Sequence, residues 1–253
     1  MVDVEALLNA EFNKFCLRHE PDHFRPLVRL IAGLFPLEGR CVMDFGCGTG
    51  DLGLALIAAG AQELIGLDIS KPAIAAARQK AQGIAAATFY CQDIVSQPWE
   101  GRSVHLLVSH SAVHYIGRPF EDILRRLAKL VLPGGHLFLT VEADDGSRWI
   151  NRLQRFNLRF LPEWLRARLY RVLLLAMTFK SGSKQGLEDP DILRAKSRYL
   201  AIPVLHRMSG DALRAAAHAA YLTDIDIGTV PSMNPLQTPH LYLAARVPLA
   251  AER

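Results

Sequence analysis

Cys41-Val42-Met43-Asp44-Phe45-Gly46-Cys47-Gly48-Thr49-Gly50-Asp51-Leu52-Gly53 is the stretch whose reading decides the fold. An apolar run of strand length ends in alternate glycines, and these open onto a helix that begins near Leu52. Alternate glycines let backbone approach a ligand with no Cβ in between, and the unpaired N–H groups of a first helical turn attract electron-rich ligand atoms. The pattern predicts a buried strand, a tight turn and a cofactor cradle. Asp44 stands two residues before the first glycine. A carboxylate gains little beside a phosphate but gains beside a cationic ligand head or a free N–H of the turn. Gly48-Thr49-Gly50-Asp51-Leu52-Gly53 also satisfies the dinucleotide pattern Gly-x-Gly-x-x-Gly, so the turn alone leaves two cofactor classes open.

Outward from the turn, Leu52 to Ala59 reads as a helix stopped by Gly60, and Leu64-Ile65-Gly66-Leu67-Asp68 as a second strand. Asp68 falls about 20 residues past the glycines, where a strand-end carboxylate accepts hydrogen bonds from both ribose hydroxyls of a nucleoside. Ser70 before Lys71-Pro72 supplies a separate helix cap, which frees Asp68 for that contact. A helix over 72–82, a third strand over 86–91 and a fourth over 104–108 follow. Residues just past the carboxyl ends of parallel strands face the crevice of such folds, which draws attention to Ser109-His110-Ser111-Ala112-Val113-His114-Tyr115. A helix over 120–130, the turn Leu132-Pro133-Gly134-Gly135 and a fifth strand over 136–142 continue the alternation. Ser209 heads a helix to about Ala220, and strands over 222–230 and 241–247 are close enough in sequence to form an antiparallel hairpin.

The alternation lapses twice. Before the sheet, apolar residues at helical spacing predict helices over 4–18 and 24–35, the latter through Leu27, Leu30, Ile31 and Leu34. Between 143 and 200, Trp149, Ile150, Leu153, Phe156, Leu165, Leu169, Val172 and Leu173 predict two amphipathic helices broken at Pro162, with arginines along their polar sides. The stretch from Ser181 to Gly186 reads as a loop. These lapses set the predicted domains: a helical lid over 1–36, an α/β domain over 37–142 and 201–253, and a helical insertion over 143–200.

Composition removes several classes. The 253 residues are 50% hydrophobic and 21% charged, which is ordinary for a folded domain and far from the disordered range. The net charge of +4 falls short of a dedicated nucleic-acid binder. Cys16, Cys41, Cys47 and Cys91 include no Cys-x-x-Cys pair and no histidine at metal-ligand spacing, so reduced thiols and no metal are expected. The apolar run from Val172 to Phe179 is far shorter than the roughly 20 residues that span a bilayer. With no signal-peptide pattern, a cytoplasmic location without a transmembrane segment is expected.

The acid, one residue, then Gly-x-Gly-x-Gly at Asp44 to Gly50 resembles the first motif of class I S-adenosylmethionine-dependent methyltransferases of small-molecule type. Asp93-Ile94 at the third strand end, the Ser-x-x-Ala-x-His-Tyr pattern at 109–115 and Leu132-Pro133-Gly134-Gly135 match later segments in the same order. The resemblance implies an α/β, Rossmann-like, seven-stranded and mostly parallel sheet with a C-terminal antiparallel hairpin, and a helical cap insertion. It implies S-adenosylmethionine as cofactor, held by Asp44, Gly46, Cys47, Gly48, Gly50, Asp68, Ile69, Asp93, Ile94 and Ser109. Here Asp93 reaches the adenine amine and Ile94 packs on the ring. It implies a small-molecule acceptor lined by Phe12, Tyr115 and Tyr199, with His19, His23 and Phe15 near the lid.

Transfer of a methyl from sulfur needs the acceptor about 3 Å from the carbon and, for a protonated acceptor, a base. His114 and His110 are the first candidates, and His206, in a His-Arg pair before the last helix, is the third. Two further readings stay open: an intramolecular alkylation that releases methylthioadenosine, and a non-catalytic cofactor-binding partner protein. The Arg-rich insertion is compatible with an anionic carrier or membrane surface, and the chain with a homodimer. A nucleic-acid substrate is disfavoured because no Asn/Asp-Pro-Pro-Tyr segment follows the fourth strand, and an RNA substrate because the insertion has no recognised RNA-binding motif.

Overall fold

A computed structural model describes residues 22–93, 97–144, 206–231 and 239–249, with six further positions between 162 and 172. The predicted helix over 4–18, Phe12, Phe15, His19, Ile94, Tyr199, the 181–186 loop and most of the insertion lie outside these described residues. The chain divides into two compact units. One comprises Met1–Asp144, Leu205–Pro231 and Pro239–Arg253; the other comprises Asp145–Val204 and Ser232–Thr238. In the second unit the Arg168 guanidinium stands 5.8 Å from the ring centroid of the exposed Trp164.

In the first unit, α1 (Arg25–Leu34) precedes β1 (Cys41–Phe45), α2 (Asp51–Ala58), β2 (Glu63–Asp68), α3 (Lys71–Lys80) and β3 (Ala87–Cys91). Then come β4 (Val104–Ser109), a 3₁₀ turn over Val113–Tyr115, α4 (Phe120–Ala128) and β5 (Val131–Ala143). After the second unit's segment follow β6 (Arg207–Met208), α5 (Gly210–Ala219), β7 (Thr223–Thr229) and β8 (His240–Arg246). The strands order as β3-β2-β1-β4-β5-β8-β7, with β6 on the end of β5. Pairing is parallel from β3 to β5 and antiparallel for β5–β8 and β7–β8. This is the expected mostly parallel seven-stranded sheet with its terminal hairpin, extended by the two-residue β6, which the sequence pattern does not disclose.

Burial follows from that order. β1 lies in the middle of the sheet and is buried at all five residues, as a parallel strand covered on both faces should be. One face packs Met43, Leu107, Leu137, Leu139 and Leu243 against Ile123, Leu124, Leu127, Leu213 and Ala217 of α4 and α5. On the other, Leu64 and Phe89 meet Ile74 and Ala77 of α3. The caps read from sequence are present: Ser70 Oγ accepts from Ala73 N–H at 3.3 Å, and Ser209 Oγ from Ala212 N–H at 3.2 Å.

Two expectations need correction. α1 buries Leu27, Val28 and Ile31, whereas Leu34 is exposed, so its inward face is turned toward Val28 relative to the predicted one. The Pro-Gly-Gly stretch is no free turn before the fifth strand, because β5 starts at Val131. Gly134 N–H donates to Val247 O and Val247 N–H to Gly135 O, so β8's continuation pairs with the stretch. The register against β4 shifts between Val104 and Leu106 to absorb the extra residues.

Candidate active site

Those predicted residues that the structure describes lie along the carboxyl edge of the parallel strands. The N–H groups of Gly46 and Cys47 both donate to Leu67 O, at 2.7 and 3.0 Å, which ties the turn to β2. Gly46 has φ +72°, and a Cβ there would stand 2.3 Å from the Ala112 Cβ, so only glycine lets the loop after β4 close over the turn. Gly48 has φ +52° with open space where a Cβ would point, a cradle rather than a packed turn. Cys47 is buried and its thiol is held well above the usual range by burial and then by Asp44. It is packing in the turn and no nucleophile.

Two carboxylates brace the cradle from below and beside. Asp44 is 1% exposed and its Oδ2 accepts from Gly53 N–H at 3.1 Å. Burial, and next the Asp68 charge, raise its pKa to about 7. Asp68, at the end of β2, accepts from Gly48 N–H and Ser70 N–H at 2.8 Å each. Burial pushes Asp68 up as well, against those same N–H bonds. Ile69 follows it, half-buried, and Gln92 N–H donates to Asp68 O, which brings the β3 end and the half-buried Asp93 beside it. Ser109 ends β4, fully buried, and its Oγ has no hydrogen-bond partner among the described residues.

Beyond Ser109 the histidines cluster. Ser111 holds φ +54°, a region non-glycine residues seldom adopt, and its N–H donates to Thr140 Oγ1 at 3.0 Å. Its Oγ lies 3.2 Å from both His110 Nε2 and His240 Nε2, and His110 Nδ1 lies 2.9 Å from Thr140 Oγ1. His114 is 1% exposed, and neither ring nitrogen has a partner among the described residues. Burial, then the neighbouring His240, drives its pKa well below the ordinary value, so its imidazole is neutral. Tyr115 is buried with its ring 4.2 Å from that of His114. His206 Nε2–H donates to Ile116 O at 2.8 Å, and its backbone N–H donates to His114 O at 3.1 Å. Through these two bonds His206 steadies the 3₁₀ turn.

Four neighbours were not anticipated. Glu142 accepts from Arg207 Nε at 2.9 Å in a buried ion pair, and its Cα pairs across the sheet with that of His240. Thr140 lies on the same strand, and Phe24 meets the His110 ring edge-on with centroids 5.8 Å apart. The strand-end rule that picked out Asp68 applies equally to Glu142, the penultimate residue of β5. No such signal exists for His240, because it begins a strand. Only the antiparallel insertion of β8 beside β5 carries a strand start to the edge where the other strands end. No metal was expected from residue spacing, yet His114, Glu142 and His240 offer ligand atoms within 4.8 Å of one another.

Comparison with known proteins agrees with this architecture. A family model described as "Methyltransferase domain" matches residues 42–135. The ribosomal protein L11 methyltransferase of Vibrio vulnificus (strain YJ016) is 30% identical over 155 residues, covering 59% of this chain and 47% of that protein. The chain thus spans about half the length of that curated relative. Among solved structures, magnesium protoporphyrin IX methyltransferase from Synechocystis PCC 6803 with bound SAH superposes with TM-score 0.55 at 17% identity, over 89% of this chain and 82% of that one. The [4+2]-cyclase SpnF gives TM-score 0.58 at 17% identity, over 88% and 80%. Residues 42–135 accordingly match a methyltransferase domain, and the chain shares its α/β fold with these solved structures.

Proposed function

We propose that this protein binds S-adenosylmethionine in the cradle and transfers its methyl group to oxygen, nitrogen or carbon of a small-molecule acceptor, of the kind found in specialised metabolism. The observation that carries the reading is the continuity of the edge. An open glycine turn and a half-buried Asp68 adjoin a histidine cluster and a buried Ser109 hydroxyl that has no partner among the described residues, all within one compact unit. The residues present fit the cofactor. Asp68 is suited to ribose hydroxyls, Asp93 to an exocyclic amine, and the buried Ser109 hydroxyl and Asp44 to the polar, cationic end.

When bound, the cofactor supplies an electrophilic methyl on a sulfonium. The chain contributes placement and exclusion of water. His114 presents ring nitrogens without a hydrogen-bond partner among the described residues, the requirement for a group that receives a proton, while His110, bonded to Thr140 and Ser111, is suited to orienting the acceptor. Tyr115 is proposed to line the acceptor's apolar part.

A second reading, methylation of a protein, is favoured by one specific observation: the sequence relative is named for a ribosomal protein substrate. Incubation with methyl-labelled S-adenosylmethionine, in parallel with a metabolite extract and with a ribosomal protein fraction, separates the two. Label in a small molecule together with S-adenosylhomocysteine is the expected result. Label in protein alone would replace the acceptor class, methylthioadenosine would mark intramolecular alkylation, and cofactor binding without any product would reduce the chain to a binding partner.

A further inference from the structure

We infer that His114, Glu142 and His240 form a binding site for a divalent transition cation that favours mixed nitrogen and oxygen ligands, such as zinc(II), iron(II), manganese(II) or cobalt(II). Their ligand atoms all lie within 4.8 Å of one another, and the residues are 1%, 6% and 6% exposed. Zinc holds such ligands at about 2.1 Å, so a tetrahedral set stands about 3.4 Å apart, a separation that small side-chain rotations reach from here. Two imidazoles and one carboxylate are a donor set used for catalytic zinc and for non-haem iron, with at least one coordination position left open.

The fold builds this convergence rather than a flexible surface. Glu142 and His240 are directly paired across β5 and β8, and His114 sits in the 3₁₀ turn that follows β4, the strand on β5's other side. The independent pointer to a ligand is His114 itself. A buried polar group without a partner is costly, and this ring has two nitrogens in that condition among the described residues. Ligation would satisfy one of them. Supporting contacts have the character of those around metal ligands: Ser111 Oγ lies 3.2 Å from His240 Nε2, Arg207 orients Glu142 at 2.9 Å, and His206 N–H holds the His114 carbonyl. Arg207 repels a dication, but its Nε engages Glu142 through the single oxygen Oε2.

The open position is suited to an oxygen of the methyl acceptor, a clause that rests on the methyl-transfer reading; the site itself does not. A bound acceptor hydroxyl would give its proton to solvent, since a His114 that holds the metal no longer serves as the base, and its oxygen would bond to the methyl carbon. The electron pair of the broken carbon–sulfur bond would remain on sulfur.

The test uses the full chain without a polyhistidine tag, stripped with chelator and titrated with cobalt(II), followed by visible absorption and metal analysis. Stoichiometric binding with ligand-field bands is expected, lowered by about tenfold or more in His114→Ala and in His240→Ala and unchanged in His218→Ala, which alters an exposed helical histidine. Cobalt affinity untouched by the first two variants, or no stoichiometric binding, overturns the site. Because those variants remove buried rings, a measurement on the unaltered protein guards against misfolding: zinc(II) titration with ¹⁵N-labelled histidine. Shifts of the His114 and His240 ring signals support the site, and shifts confined to exposed histidines overturn it. Neither readout depends on turnover. An inactive protein that binds cobalt at these residues upholds the site and removes the methyl-transfer reading, whereas an active protein that binds none removes the site alone.

Discussion

Asp44 concentrates the residue-scale physics. Its folded-state pKa, about 7, lies above the usual 3.8, so between those values the folded protein keeps a proton that the unfolded chain gives up. The contribution of Asp44 to stability is therefore full below the ordinary carboxylate range and is lost as pH rises toward 7, with Asp68 adding in the same sense. Between about pH 5 and pH 7 the melting temperature of the unliganded protein should fall relative to that of Asp44→Asn, which keeps an acceptor for Gly53 N–H, while the buried neutral His114 acts in the opposite sense equally in both proteins. Identical slopes in the two proteins would contradict the assignment. Asp68→Ala should weaken S-adenosylmethionine binding by at least about tenfold in calorimetry, since charge-assisted bonds to ribose hydroxyls are lost. His114→Ala should leave that affinity intact and lower turnover ~10-fold or more; unchanged turnover removes it from the chemistry. Asp44 and Asp68 were legible because each has a fixed offset from the glycines. Ser111, Thr140 and His240 were not, because they owe their meeting to strand neighbours far apart in sequence.

At the scale of elements, the turn between β1 and α2 is specified twice, by its own backbone and by the loop that covers it. Gly46→Ala places a Cβ in a left-handed conformation and 2.3 Å from Ala112, so it should destabilise the protein by about 1–3 kcal/mol and weaken cofactor binding with it. Denaturant unfolding and calorimetry together check this; a loss of affinity without a loss of stability would put the effect in the ligand contact alone. Ser70→Ala removes the α3 cap and should cost about 1 kcal/mol, as a lowered urea midpoint at constant m-value. Elements were read well where local chemistry defines them: Gly60 stops α2 at φ +109°, and Ser209 caps α5. The Pro-Gly-Gly stretch was misread because its chemistry is that of a turn, and only its pairing with Val247 on the continuation of β8 draws it into β5.

On the scale of the whole molecule, β8 is the strand on which the outer half of the sheet depends. It lies between β5 and β7, it buries Leu243, Ala244 and Ala245, and it carries His240 to the site. A chain ended at Pro239 should lose cooperative melting, because β5 and β7 would both present unpaired edges and Leu137 and Leu139 would lose cover; a sharp transition in circular dichroism would refute this. The sequence by itself determined the alternation of strands and helices, the cradle and its two carboxylates. These depend on periodicity, turn chemistry and short fixed spacings, all of which are local. Only the tertiary structure decided that the last strand enters antiparallel next to β5. That step is a choice among strand pairings with similar local propensities, settled by which face each strand must bury. It is also what sets His240 and Glu142 beside His114 and turns separate polar residues into a single site.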